Sequence, residues 1–302
     1  MEVFQEIIPY LVLGIGTGVY GILVGAGGGV ILAPSLMIFF GVDPTIAAGT
    51  SLALVSVNSI SGTFAYKRTG FIDLRSGLLF ALAAVPGSIL APLALDYAPA
   101  GLFKILFGIL LLGLAILIGL KPESRERENS ESFEDSKLSK PPAFTSMPDW
   151  LQFTMAKRRI VASKGRIFVF EFNESLGTAF NIVLGFISSF FGTGGGFLRT
   201  PVLVSVFGFP VQVAVATSIF ALSIYSTIGA GVHAYLGNVD WYPAFVWSGI
   251  GLIIGGQIGA RLMELIRGIW ILRILLLIVL VMGIQLIIQG LWPQTFSFTL
   301  VH

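Results

Sequence analysis

The chain contains no cysteine, only two histidines, and charge on just 11% of its residues. Without cysteine there can be no disulfide, no thiol nucleophile and no thiolate-ligated metal. His302 is the final residue, so a metal centre would have to be built around His233 alone, and none is expected. The acids nearest to apolar runs, Glu2, Glu6, Glu171, Glu174 and Glu264, all lie at run ends, so a buried carboxylate relay is not expected either. Phosphate-loop Gly-Lys-Ser/Thr is missing, and the first residues, Met1 to Ile8, carry neither a basic stretch nor a small-residue cleavage site. Nucleotide binding, a resident cofactor, nucleic-acid partners and a cleaved leader are therefore set aside. So is an intramembrane enzyme, because the apolar runs hold no paired acid, base or metal constellation.

Apolar sequence is what the chain has in quantity. Hydrophobic residues make up 55% and the mean hydropathy is +0.90, values of a polytopic membrane protein. Runs long enough for helical spans fall at 7–24, 46–66, 76–96, 101–120, 175–191, 213–236, 242–263 and 269–290. Two further apolar pieces, 30–41 and 197–209, are too short for the roughly 20 residues of a full span. Each directly follows a triple glycine, which predicts a short helix entered through unwound backbone inside the membrane.

Those glycines belong to a repeat. Gly25-Ala-Gly-Gly-Gly-Val-Ile-Leu-Ala-Pro34 returns as Gly192-Thr-Gly-Gly-Gly-Phe-Leu-Arg-Thr-Pro201, and adding 167 to a residue number (25 + 167 = 192) aligns the halves without a gap from Gly25 to Asp73. About a third of the aligned positions are identical, including Gly41 with Gly208, Thr50-Ser51 with Thr217-Ser218, Ser59 with Ser226 and Asp73 with Asp240. Duplicated halves with glycine-interrupted segments at matching places are the signature of secondary transporters, whose sites lie where the broken segments meet.

If the short pieces cross, each half has five spans and the repeats are inverted; if they re-enter, each half has four and the repeats are parallel. Ten spans place three basic regions on one side: Lys67, Arg68 and Arg75; the linker with Lys121, Arg125, Lys157, Arg158, Arg159, Lys164 and Arg166; and the loop near Arg261 and Arg267. Eight spans would put the last on the opposite side, against the positive-inside tendency. The expected architecture is thus an all-α polytopic membrane protein of two inverted repeats, 1–120 and 167–302, with both termini outside and a cytoplasmic linker, 121–166. Residues 121–146 are rich in Glu, Ser, Lys and Pro and are expected to be disordered. Asp149 to Arg159 mixes aromatic and basic residues and could lie along the anionic inner leaflet.

Consecutive glycines ahead of a helix start offer free N–H groups and the positive end of a helix dipole, a receptor for an anion. Close packing of small residues is the competing use. Arg199, inside the second short segment, has Leu32 as its repeat mate; it serves either an anion site or a snorkelling anchor. Thr50, Ser51, Asn58 and Ser59, with Thr217, Ser218, Tyr225 and Ser226, put hydroxyls and an amide on the helices that follow. Asp73 and Asp240 suit helix caps, Lys104 and Arg273 suit interfacial anchors, and His233 suits a hydrogen-bonded interfacial histidine.

Two copies of Gly-x-Gly-Gly-Gly and a following proline, then Gly, Ala and Thr-Ser, then Gly, Tyr or His, Gly and Asp, closely resemble the TauE/SafE family of membrane permeases. The resemblance covers nearly all of the chain outside the linker. It implies a multi-pass plasma-membrane exporter of small sulfur-containing anions such as sulfite, sulfoacetate or other organosulfonates. It carries Gly27, Gly28, Gly29, Pro34, Thr50 and Ser51, and Gly194, Gly195, Gly196, Pro201, Thr217 and Ser218, into the substrate region; the residue chemistry adds Asn58 and Arg199. The expected partners are a small anion and the bilayer, with a homodimer left open. A passive anion channel and an uptake permease for another oxyanion are the alternatives.

Overall fold

The computed structural model describes residues 2–24, 27–119, 154–162, 167–262 and 268–292. Its helices are α1 (Glu2–Val24), α2 (Gly29–Phe39), α3 (Pro44–Thr69), α4 (Leu74–Leu95), α5 (Ala100–Gly119), α6 (Glu174–Phe190), α7 (Gly196–Ser205), α8 (Val211–Tyr235), α9 (Val246–Leu262) and α10 (Gly268–Leu291). Each of the apolar runs, long or short, is therefore helical. Local signals set several boundaries: the Asp43 carboxylate accepts from the Thr45 N–H at 2.9 Å ahead of α3, Asp73 accepts from Ser76 ahead of α4, and Asn173 accepts from Leu176 ahead of α6.

Among the described residues, four stretches are long and apolar enough to cross a membrane: Ile7–Val24, Leu74–Leu95, Ala100–Leu117 and Val211–Tyr235. The 26-residue α3 is long enough but carries Thr50, Ser51, Ser56, Asn58 and Ser59, all buried inside the protein. Large apolar side chains such as Phe64, Leu74, Leu82 and Ile116 cover the exterior instead, as a lipid-facing surface requires.

Because lipid is as apolar as leucine, helices associate here through close backbone approach. On α1, a Cβ added to Gly14 or Gly18 would fall 2.2 or 2.4 Å from the carbonyl oxygens of Ser248 or Leu252 on α9. On α6, one added to Gly185 would fall 2.1 Å from the Ala84 carbonyl of α4. The major pairings are α1 with α9, α6 with α4, α3 with α8 and α5 with α10. Each joins one half of the chain to the other, so neither half buries its own faces.

The expectation of an all-α fold needs correction. Strands β1 (Met155–Val161) and β2 (Ile167–Asn173) pair antiparallel, Met155 opposite Asn173 and Val161 opposite Ile167. The cause is the alternation Ile167-Phe-Val-Phe-Glu-Phe-Asn173, whose aromatic residues suit a half-buried pleated surface. Phe170 and Phe172 are buried against Phe80 of α4 and against Phe207 and Phe209, just beyond α7. Residues 154–159, expected along the leaflet, belong to this hairpin, and the boundary at 166/167 falls at the start of β2. Residues 121–146, expected to be disordered, and 149–153 lie outside the described residues.

Arg158 of β1 locks the hairpin down. It reaches the Asp73 carboxylate at 3.4 Å and pairs with Glu174, joining the start of α4 to the start of α6. Its guanidinium also lies over the Phe172 ring at 5.8 Å.

Candidate functional site

The two triple glycines form the tips of two helical hairpins. Tyr10, well before the end of α1, stacks on Phe40, the residue after α2, with ring centroids 4.2 Å apart. Likewise Phe172, just before α6, meets Phe207, just after α7, at 6.4 Å. In each case both legs return to one level, and the glycines make the turn between them. Gly27 and Gly28 take φ of 71° and 89°, and Gly194 and Gly195 take 78° and 63°, values that a side chain disfavours. Neither α2 nor α7 has a side-chain cap at its start; the Ile31 and Leu32 N–H groups donate to the Gly28 carbonyl, and those of Leu198 and Arg199 to the Gly195 carbonyl, so the positive end of each helix lies at its tip.

The tips touch each other. A Cβ on Gly29 would sit 2.6 Å from the Thr193 carbonyl oxygen and 2.8 Å from that of Gly192. Ser51 Oγ donates to the Gly192 carbonyl at 2.7 Å. Val55 of α3 and its repeat mate Leu222 of α8, both fully buried, lie against both tips, since Gly27 and Gly194 each face this same pair.

Several expected site residues serve to hold this meeting point. Asn58 Nδ2 donates to the Gly27 carbonyl at 3.2 Å, and its repeat mate Tyr225 donates through its hydroxyl to the Gly194 carbonyl. Thr50 Oγ1 accepts from the Asp240 N–H at 2.8 Å, and its mate Thr217 accepts from the Asp73 N–H at 3.0 Å. Each threonine thus grips the loop ahead of a helix in the other half. Pro34 and Pro201 lie inside α2 and α7. Gly196 begins α7 and donates its N–H to the Gly194 carbonyl at 2.8 Å.

Arg199 is fully buried, with no exposed area, which removes the snorkelling alternative. Asn181 Oδ1 accepts from its Nε at 2.6 Å, and the Ser218 carbonyl accepts from Nη1 at 3.4 Å. The Tyr225 ring lies under the guanidinium at 4.9 Å. No carboxylate pairs with it among the described residues. Nη2 has no partner, and neither do the buried hydroxyls of Ser218, Thr200 and Thr193. A buried cation without counter-charge, among unused donors, is costly to the empty protein and suited to an anion.

Asn181, Val55 and Leu222 were not singled out from sequence. Asn181 offered one signal, an amide in the middle of an apolar run. Val55 and Leu222 offered none, since aliphatic residues fill every span.

The geometry agrees with the comparisons. The profile of the family described as Sulfite exporter TauE/SafE matches residues 10–286. The chain is 30% identical over 294 residues to the "Probable membrane transporter protein YunE" of Bacillus subtilis, covering 93% of this chain and 97% of that protein. It is 28% identical over 257 residues to the "Probable membrane transporter protein ORF9" of a Sinorhizobium species, covering 85% and 82% of the two chains. No solved structure matches. The family match spans nearly all of the helical body and both glycine tips, and the chain belongs to the TauE/SafE sulfite exporter family of membrane transporters.

Proposed function

We propose that this protein is a secondary transporter that exports small sulfur-containing anions, such as sulfite, sulfoacetate or other organosulfonates, across the plasma membrane. The anion binds at the glycine tips beside Arg199. The observation that carries this reading is the buried, unpaired guanidinium with Nη2 unused, next to unpartnered hydroxyls and uncapped helix starts. A sulfonate brings three acceptor oxygens and one negative charge, enough to engage Nη2, the Ser218 hydroxyl and tip N–H groups together. Gly27, Gly28, Gly29 and Gly194, Gly195, Gly196 form the cradle in this reading. Thr50, Thr217 and Asn58 shape it from behind.

The proposal includes inverted repeats. Support comes from the matched threonine contacts: the start of α3 meets the loop that follows α8, and the start of α8 meets the loop that follows α3, so these repeat mates run antiparallel. The helical hairpins refine the span count. If α1–α2 and α6–α7 each dip into the membrane and return, every half keeps three further spans, still an odd number, and the inversion and the outside termini both follow. Hairpins entering from opposite faces and meeting tip to tip supply alternating access around one fixed site. The Val55–Leu222 pair fills the space between the tips, which favours a carrier over a continuous pore.

Counterflow in proteoliposomes tests this. Vesicles loaded with unlabelled sulfoacetate should accumulate labelled sulfoacetate saturably; non-saturating, ohmic flux would make the protein a channel. The absence of native cysteine allows a clean topology test: cysteines in place of Glu2 and Leu300 should react with an impermeant reagent from outside. Reaction only after the cells are opened would defeat the proposed orientation.

A further inference from the structure

We infer that His233 is a proton-binding site coupled to the tip of the α6–α7 hairpin, so that a proton taken up on its Nδ1 accompanies anion occupancy; this rests on the transport reading above. His233 is fully buried near the end of α8. Its Nε2 lies 3.1 Å from the Ser189 carbonyl oxygen, and a carbonyl only accepts, so Nε2 carries the hydrogen. The lone pair is therefore on Nδ1, which has no partner. Nδ1 faces Gly49 of α3, where an added Cβ would lie 3.1 Å away.

The surroundings give that nitrogen both a charged neighbourhood and a consequence. Around the ring, α6 contributes Ser189 and α3 contributes Gly49, neither of them charged. The charged groups at this end are Asp96, exposed after α4, and Asp240 ahead of α9. Asn238, whose carbonyl is the atom nearest an added Gly49 Cβ, donates its side-chain amide to Asp96 at 3.3 Å. An exposed carboxylate is thus joined through Asn238, whose N–H donates to the His233 carbonyl at 2.8 Å, to the residue that carries the buried imidazole. The other ring nitrogen acts on the glycine tip. Ser189's carbonyl accepts from His233 and also from the Gly192 N–H at 3.3 Å, while the Gly192 carbonyl is held by Ser51 of the other half. A charged imidazolium donates more strongly than a neutral ring, and so draws the shared carbonyl away from Gly192. The neighbouring Ser188 hydroxyl reaches Tyr225 at 3.4 Å, and Tyr225 lies under Arg199. Protonation at one end of this chain of contacts and anion binding at the other act on the same hairpin.

Only two histidines exist, so nitrogen-15 magnetic resonance of histidine-labelled protein, with His302→Ala, reports His233 alone. At high pH the ring should be the Nε2–H tautomer. Nδ1 should take up a proton as the pH is lowered, with a midpoint that rises on adding sulfoacetate. In proteoliposomes, reversing an imposed pH gradient should reverse net sulfoacetate flux; the charge of this probe does not titrate near neutral pH. His233→Gln keeps a donor for Ser189 but cannot titrate, and should retain counterflow while losing the response to the gradient. An Nδ1 that never protonates while the protein stays folded, a midpoint indifferent to sulfoacetate although the wild type transports it, or a His233→Gln protein that follows the gradient would overturn the inference. If the wild type fails to move or bind sulfoacetate while Nδ1 still titrates, the substrate reading fails and the proton site stands.

Discussion

An arginine kept for the fold and an arginine kept for an anion give opposite stability signatures at position 199. Replacing Arg199 by Met removes the donor to the Asn181 side chain, and a buried acceptor left unsatisfied costs about 1 to 3 kcal/mol, whereas the Ser218 carbonyl lies inside α8 and keeps its helical bond. The same change removes a desolvated guanidinium without counter-charge, whose burial costs several kcal/mol. The second term matches or exceeds the first, so without anion Arg199→Met should melt in detergent at or above the wild-type temperature. Ligand should reverse the order. At an anion concentration of about 100 Kd the wild type gains about 2.7 kcal/mol, and Arg199→Met should gain almost none. Arg199→Gln should weaken sulfonate binding by about 1.5 to 3 kcal/mol, roughly ten- to a hundredfold, and Arg199→Lys should retain part of the affinity because charge survives while the planar fork is lost. Thermal melts with and without sulfoacetate, beside direct binding, measure all of this. An anion-free Arg199→Met that melts far below wild type, with anion stabilisation intact, would show that the arginine holds the fold and that the site lies elsewhere.

Replacing Gly28 or Gly195 by Val should abolish counterflow while insertion persists, because each has φ above 60° and an added Cβ would meet the Thr17 carbonyl oxygen at 2.6 Å or Leu184 at 2.7 Å; wild-type transport by either variant would reduce the tips to packing devices. Thr50→Val and Thr217→Val should each lower stability by about 1 to 3 kcal/mol, since each leaves a backbone N–H of the other half without its acceptor; denaturation in detergent would reveal any inequality between these mates. Arg158→Ala should cost about 2 kcal/mol by leaving Asp73 and Glu174 without their shared cation, read as faster proteolysis within 154–173, and an unchanged cleavage rate would mean the hairpin is held by Phe170 and Phe172 alone.

The helices were legible because lipid imposes simple rules on length and apolarity, and all ten runs are helical within a few residues of their expected bounds. Both glycine breaks were legible as well, since three glycines in a row, recurring at a fixed distance, interrupt a helix in the same way in both halves. The hairpin of β1 and β2 was hidden by its charge: Lys157, Arg158 and Arg159 read as part of a cytoplasmic linker along the inner leaflet, and the aromatic alternation of β2 was merged into the second repeat. The partners of the polar residues could not be read at all. Thr50 and Asp240 are far apart in the chain, and only the crossed pairing of the halves brings them together. Arg199 illustrates the division most clearly, since its cost in an apolar segment was visible from sequence, whereas its burial and its unused Nη2 depend on where α6 and α8 lie.

Anomalous scattering from bromomethanesulfonate bound to the purified protein locates the anion directly. A bromine peak at the two glycine tips, with sulfonate oxygens within about 3.2 Å of Arg199 Nη2 and Ser218 Oγ, is the predicted result. A peak outside that space, with Nη2 still unpartnered in the complex, would contradict it.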